Sequence, residues 1–197
     1  MQKFLIGIDE AGRGPLAGPV AVGAVIVPRD FDWTLVAGAT DSKMMTPKSR
    51  EAIYATMCAL RKEGKLDFAV AFSSASIIDT RGIVPAVQSA LDRALAKITK
   101  AKPLCEVLLD GSLRAPEEFS NQKTIIRGDQ SEPVISLASI AAKVMRDRLM
   151  VRMARSYPSY GFEIHKGYGT LAHRRAIQES GLCELHRESF CTRFLVE

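Results

Sequence analysis

At 197 residues, 47% hydrophobic and 25% charged, the chain can bury a core without disulfide or metal staples, which argues against a disordered segment. Four scattered cysteines with no Cys-x-x-Cys pair argue against a disulfide framework or a thiolate zinc site and fit reduced thiols in the cytosol. The longest weakly polar stretch, Pro15 to Pro28, is too short and too punctuated by Gly and Pro to span a bilayer. The formal net charge is +5. Residues 134–197 carry ten Lys and Arg against six Asp and Glu, whereas residues 1–133 carry seventeen against sixteen. Basic excess gathered in one segment suits a phosphate-backbone ligand, although an amphipathic surface helix has the same look.

In chain order, Phe4 to Ile8 is a short apolar run ending at Asp9, the pattern of a buried strand. A turn rich in Gly and Pro follows (Gly12, Gly14, Pro15, Gly18, Pro19), then a β-branched run from Val20 to Val27 stopped by Pro28. The two runs predict an antiparallel hairpin with a tight connection. Thr46 followed by Pro47 predicts a helix N-terminus. Ile53, Met57 and Leu60 continue at helical spacing as far as Gly64. Leu66 to Phe72 reads as a strand. Ile83 to Ile98 reads as a helix with Val84, Val87, Leu91, Leu95 and Ile98 on one face. Leu104 to Leu109 reads as a strand ending at Asp110-Gly111, and Lys123 to Arg127 as a fifth. The longest predicted helix runs from Pro133 to Arg155, its apolar set interleaved with Lys143, Arg146, Arg148 and Arg152. A shorter helix is expected from Thr170 to Gln178, closed by Gly181. Strand pairs, then alternating helices and strands, then a helical tail predict an α/β sheet with a C-terminal helical lobe. The expected division is a catalytic domain over 1–158 and an extension over 159–197.

Asp9 and Glu10 directly follow an apolar strand, where a buried charge must be paired or bound to metal. In a strand they point to opposite faces, so a shared cation requires a kink or bulge. Gly12 and Gly14 free the backbone for close approach, and Arg13 supplies a forked donor. A solvated hairpin turn accounts for this pair equally well. Asp110 also closes an apolar strand, and Asp129 precedes the Pro133 helix; singly, each reads as a cap. Together, four acids at element edges suggest a hard oxygen-ligand cluster suited to Mg²⁺ or Mn²⁺.

The segment Asp9-Glu10-Ala11-Gly12-Arg13-Gly14-Pro15 resembles the opening motif of the ribonuclease HII family, the bacterial type 2 ribonucleases H. Asp41-Ser42-Lys43, Leu109-Asp110-Gly111 and Arg127-Gly128-Asp129 resemble its following elements. So do Ala138-Ser139-Ile140-Ala141-Ala142-Lys143-Val144 with Arg146-Asp147, His165-Lys166-Gly167-Tyr168-Gly169-Thr170, and His186-Arg187-Glu188-Ser189-Phe190. The matches run in family order from residue 6 to about residue 190. Met45, where the family often has Leu, and Arg127, where it more often has Lys, are the departures; neither removes a ligand or a charge. The resemblance implies a ribonuclease H-like mixed five-stranded sheet flanked by helices, with a C-terminal helical extension. It implies metal ligation and catalysis by Asp9, Glu10, Asp110 and Asp129 with Mn²⁺ or Mg²⁺. It also implies hydrolysis 5′ to a ribonucleotide in RNA–DNA hybrids or in DNA with embedded ribonucleotides, leaving a 3′-hydroxyl and a 5′-phosphate. Gly12, Arg13, Gly14 and Tyr168 are expected to sense the ribose 2′-hydroxyl.

Ser42, Lys43, Lys143, Arg146 and Lys166 are further candidates for substrate contact, each basic one competing with a plain solvated or acid-paired role. His165, His173 and His186 lack metal-ligand spacing and are expected to be structural or substrate-adjacent, with His186-Arg187 a candidate binding surface. Two rivals are a metal nuclease blind to ribose and a non-catalytic nucleic-acid-binding module. The latter predicts basic residues without the acids. No phosphate-cradling G-x-x-x-x-G-K-[ST] loop occurs. The expected protein is a cytoplasmic monomer acting on nucleic acid, away from membranes. A sliding clamp is a further candidate partner with no specific signal in the sequence, and the short apolar end Arg193–Glu197 is a docking segment with no receptor assigned.

Overall fold

The computed structural model describes residues 3–39, 42, 44–98 and 104–192. Asp41, Lys43 and the Arg193–Glu197 tail lie outside the described residues. Strand β1 (Phe4–Ala11) pairs antiparallel with β2 (Val20–Pro28), as the apolar runs predict, and β2 pairs antiparallel with β3 (Asp67–Ser73). On its other edge β1 pairs in parallel with β4 (Cys105–Asp110), which pairs in parallel with β5 (Gln122–Ile125). The result is a mixed five-stranded sheet in the order β3-β2-β1-β4-β5. The fifth strand lies slightly earlier than expected, because Arg127 takes a left-handed φ of 55° and starts a turn.

Two helical layers enclose the sheet. On one face, α3 (Ile83–Ile98) buries Val87, Leu91, Leu95 and Ile98 against Ile6, Ile8, Val22 and Val107. Val84, expected on that stripe, is exposed. A short helix before it, α2 (Ala75–Arg81), was not foreseen; Ser74 caps it by accepting from the Ile77 amide. On the other face lie α1 (Pro47–Lys62), capped by Thr46 as expected, and the long α5 (Pro133–Ala154), which follows a single-turn α4 (Gly128–Ser131). The Val134–Ala142 half of α5 is buried all round, so its sequence shows little helical periodicity.

Two glycines explain how close that helix comes. A Cβ on Gly7 would lie 2.2 Å from the Val134 carbonyl oxygen, and one on Gly23 2.3 Å from that of Ala138. Backbone therefore packs on backbone, with Ser136 and Ser139 delivered to the acid-bearing strand ends. The C-terminal elements α6 (Phe162–His165), α7 (Leu171–Ser180) and α8 (Glu188–Cys191) form a third cluster. In it, Phe162, Ile177 and Cys191 pack on Met150 of α5 and on Leu16 and Ala17 of the β1–β2 connection. The four cysteines are free thiols. No helix among the described residues is long and apolar enough to cross a membrane.

Candidate active site at the carboxyl ends of the central strands

Open α/β sheets bind ligands beyond the carboxyl ends of their strands, and the acids lie there. Asp9 sits near the end of β1, and Asp110 is the last residue of β4. Ile8 pairs with Leu109, so the next pair along these parallel strands is Asp9 and Asp110. Leu108, two residues before Asp110, belongs to the core under α5, as does Val134 against Gly7. Both carboxylates thus leave the face covered by α5, on strands about 4.8 Å apart. Asp110 Oδ1 accepts from the Gly128 amide at 2.7 Å, tying β4 to the turn that carries Asp129. Asp129 is buried, and its own carbonyl accepts from Ser136 Oγ at 2.7 Å.

Asp9 is 2% exposed. Its Oδ1 accepts from the Glu10 amide at 2.7 Å, and its carboxylate also bonds Ser139, whose Oγ lies 2.7 Å from Ser42 Oγ. Burial, followed by the negative charges of Glu10 and Asp110, pushes the Asp9 carboxyl well above the usual carboxylate range. Asp9 Oδ2 is buried without a hydrogen-bond partner among the described residues.

Glu10 corrects one expectation. The β1–β2 register runs unbroken from Phe4↔Pro28 to Ala11↔Ala21, so no bulge turns Asp9 and Glu10 to the same face. Glu10 leaves on the Ile6–Ile8 side and pairs at 3.3 Å with Arg13 Nη1. As placed, no three His, Cys, Asp or Glu side chains among the described residues close around one point. The donor set nevertheless fits a divalent cation. Hard oxygens sit on one sheet end, two of them crowded by like charge, with one buried lone-pair oxygen unsatisfied.

The Gly12–Pro19 connection lies beside the acids. Gly12 has φ +88°, and a Cβ there would meet Arg146 Nε at 1.9 Å, whereas Gly14 faces open space. Tyr168 is 42% exposed, with Lys143 Nζ 5.4 Å and Arg146 Cζ 5.8 Å from its ring centre. Lys143 also bonds Asp147 at 2.8 Å, and Lys166 Nζ donates to the Glu163 carbonyl.

Three expected substrate contacts are corrected by burial. Arg146 is fully buried and its guanidinium is committed to the carbonyls of Pro19, Lys166 and Ala17. Ser42 is buried with its Oγ 2.7 Å from Ser139 Oγ, so it backs Ser139 rather than a ligand. His186 and Arg187 are buried too, which removes them as a surface. Lys43 lies outside the described residues.

The three histidines bond one another and the backbone of the C-terminal segment. One neutral tautomer set satisfies them all. The Cys183 amide donates to His186 Nδ1 (2.9 Å), His186 Nε2 to His173 Nε2 (3.1 Å), and His173 Nδ1 to the Tyr168 carbonyl (2.9 Å). His165 stacks on His173 at 4.4 Å. Burial drives the His173 pKa down to about 4. The unfolded chain then binds a proton that the folded chain refuses, so this stability is complete above about pH 6.5 and lost as pH falls toward 4. Unfolding free energies from urea titrations should therefore fall, between pH 7.5 and 4.5, by roughly 1–3 kcal/mol more for the wild type than for His173→Gln. Parallel pH profiles for the two proteins would reject that origin.

A mixed sheet in this order, flanked by helices and carrying carboxylates at the ends of two parallel strands, is a ribonuclease H-like fold. The family described as Ribonuclease HII matches residues 6–193. A curated Ribonuclease HII of Halorhodospira halophila is 41% identical over 186 residues, covering 94% of this chain and 91% of that protein. Among solved structures, ribonuclease H2 from Pyrococcus horikoshii OT3 superposes with a TM-score of 0.77 at 23% identity, covering 98% of this chain and all of that one. Bst-RNase HIII in complex with Mn²⁺ shares the fold at a TM-score of 0.65 and 18% identity, covering 95% of this chain and 64% of that one. The chain belongs to the ribonuclease HII family. It is a type 2 ribonuclease H, an endonuclease acting on RNA–DNA duplexes.

Proposed function

We propose that the chain hydrolyses the phosphodiester 5′ to a ribonucleotide, in RNA–DNA hybrids and at single ribonucleotides embedded in duplex DNA, leaving a 3′-hydroxyl and a 5′-phosphate. The observation that carries this reading is the buried Asp9 Oδ2, without a hydrogen-bond partner among the described residues, beside Asp110 on the neighbouring strand. A carboxylate crowded in this way gains most from a divalent cation. Asp9, Glu10, Asp110 and Asp129 are the ligands we assign, with Mg²⁺ or Mn²⁺ as the ion. When bound, such ions activate water and neutralise charge on the phosphoryl and departing 3′ oxygens.

The remaining work belongs to the chain. Ser139, backed by Ser42, fixes the Asp9 carboxylate. The Gly128 amide fixes Asp110. Gly12, Arg13 and Gly14 approach the ribose edge, where Glu10 steers the Arg13 guanidinium. Tyr168 offers its half-exposed ring to the sugar and its hydroxyl to the 2′-OH, which both donates and accepts. Lys143 and Lys166 stand nearby to meet phosphates. We treat residues 159–197 as the lobe that holds Tyr168 against the duplex, and the cytosol as the site of action.

The test is a duplex carrying one ribonucleotide beside an all-DNA control, incubated with Mg²⁺, Mn²⁺ or chelator. Cleavage confined to the ribonucleotide strand, dependent on metal, is expected; cutting of both duplexes would select the ribose-blind rival. Tyr168→Phe should reduce the preference for the ribonucleotide duplex by about three- to tenfold, the worth of one hydrogen bond. An unchanged preference would remove Tyr168 from that role.

A further inference from the structure

The Gly12–Pro19 connection has to hold a defined shape without secondary structure of its own. The hydrogen bonds to its backbone come from the C-terminal half of the chain. Leu16 and Ala17 amides donate to the Gly167 carbonyl at 2.9 and 3.2 Å, and the Gly18 amide donates to that of Leu185 at 2.7 Å. Its carbonyls are taken by two arginines, both fully buried. Arg187 donates from Nε to Gly18 O (3.0 Å), from Nη1 to Arg13 O (2.8 Å) and from Nη2 to Gly12 O (2.6 Å). Arg146 donates from Nε to Pro19 O (2.8 Å), from Nη2 to Ala17 O (3.1 Å) and from Nη1 to Lys166 O (3.0 Å). That last bond crosses from the connection to the turn that carries Tyr168.

Two buried cations beside one another are costly. Burial and then the charge of Arg146 both act to lower the Arg187 pKa. Arginine is the side chain suited to such a place, because its rigid fork presents several donors at fixed angles and stays charged. A hydrophobic pair of the same volume would fill the space but leave six carbonyls without donors. The expense is understandable if the shape of this loop matters to the reaction. The mounting is itself braced: Asp79 of α2 accepts from the Glu188 and Ser189 amides at 2.9 and 3.1 Å, and Arg187 packs on Phe190 at 5.2 Å. Gly12 is needed because any Cβ would strike the Arg146 guanidinium.

We infer that Arg146 and Arg187 are positioning residues that hold the Gly12–Arg13–Gly14 loop and Tyr168 in one fixed relation, and so set the discrimination between ribose and deoxyribose without touching substrate. This rests on the ribose-sensing role proposed above. Within a site that reads a single hydroxyl, a displacement of about 1 Å is enough to lose most of the distinction.

The experiment measures binding in an Asp110→Asn background, so that no strand is cut. A duplex with one ribonucleotide and its all-DNA counterpart are titrated onto that protein with and without Arg187→Lys, which keeps the charge but not the fork. The expected result is a fall of at least about fivefold in the ribo/deoxy affinity ratio, with all-DNA affinity changed less than about twofold. Global destabilisation alone lowers the competent fraction for both duplexes and leaves their ratio intact. An unchanged ratio in folded Arg187→Lys, from an enzyme whose wild type cleaves at the ribonucleotide, overturns the positioning role alone. A wild type that neither cleaves nor prefers the ribonucleotide duplex overturns the functional reading and this inference with it. If Arg187→Lys does not fold, hydrogen exchange on the wild type decides. Leu16, Ala17 and Gly18 amides should be as protected as those of α5 without nucleic acid, and fast exchange there would show a loop that is not held.

Discussion

Asp110→Asn is expected to reduce cleavage by at least about a thousandfold while leaving duplex binding largely intact. The substitution preserves volume and keeps Oδ1 as an acceptor for the Gly128 amide, so the turn carrying Asp129 stays in place. What it removes is a negative charge on the strand next to Asp9. That charge is one of the causes holding the Asp9 carboxyl above its ordinary range, so its removal relieves repulsion in the folded chain. Thermal stability of the variant should therefore match or exceed that of the wild type. Loss of activity with retained or raised stability is the signature of an acid kept for chemistry. A variant that still turned over at a tenth of the wild-type rate would reject Asp110 as a ligand.

Gly7→Ala should have the largest effect on stability of any small substitution outside the acids. Its Cβ would lie 2.2 Å from Val134 O, 2.3 Å from Val134 C and 2.7 Å from Ile135 N, all backbone atoms that no rotamer change can move. Helix α5 would have to lift from the sheet, at a cost of about 3 kcal/mol in a urea titration. The same helix carries Ser136, bonded to the Asp129 carbonyl, and Ser139, bonded to Asp9. Activity should fall together with stability. Gly14→Ala is the control: nothing lies within 4 Å, and stability should change by less than about 0.5 kcal/mol. Equal midpoints for Gly7→Ala and wild type would mean that the helix does not rest on the strand as described.

Much of the fold is legible because it obeys local rules. Alternating or continuous apolar runs mark β1 to β4, and Thr46-Pro47 marks the start of α1. The acids stand out because a carboxylate directly after an apolar strand has few inexpensive explanations. Ribonuclease H-like motifs in order supply the rest. The failures share a physical cause. Val84 fits the apolar stripe by spacing, but spacing does not say which residues of a stripe find a neighbour to pack on. Arg146, Ser42 and Arg187 look like surface or ligand-facing residues, since arginine and serine usually are. Their burial follows only from the packing of α5 and the C-terminal segment around the Gly12–Pro19 connection.

Sequence alone therefore determined the elements, their approximate limits and the chemical character of the strand ends, all of which depend on neighbours within a few residues. Tertiary structure decided which polar side chains face the ligand and which face carbonyls far away along the chain. A guanidinium at position 187 finds its acceptors at positions 12, 13 and 18. No local pattern encodes that meeting, because hydrogen-bond satisfaction in a buried site is a property of everything that closes around it.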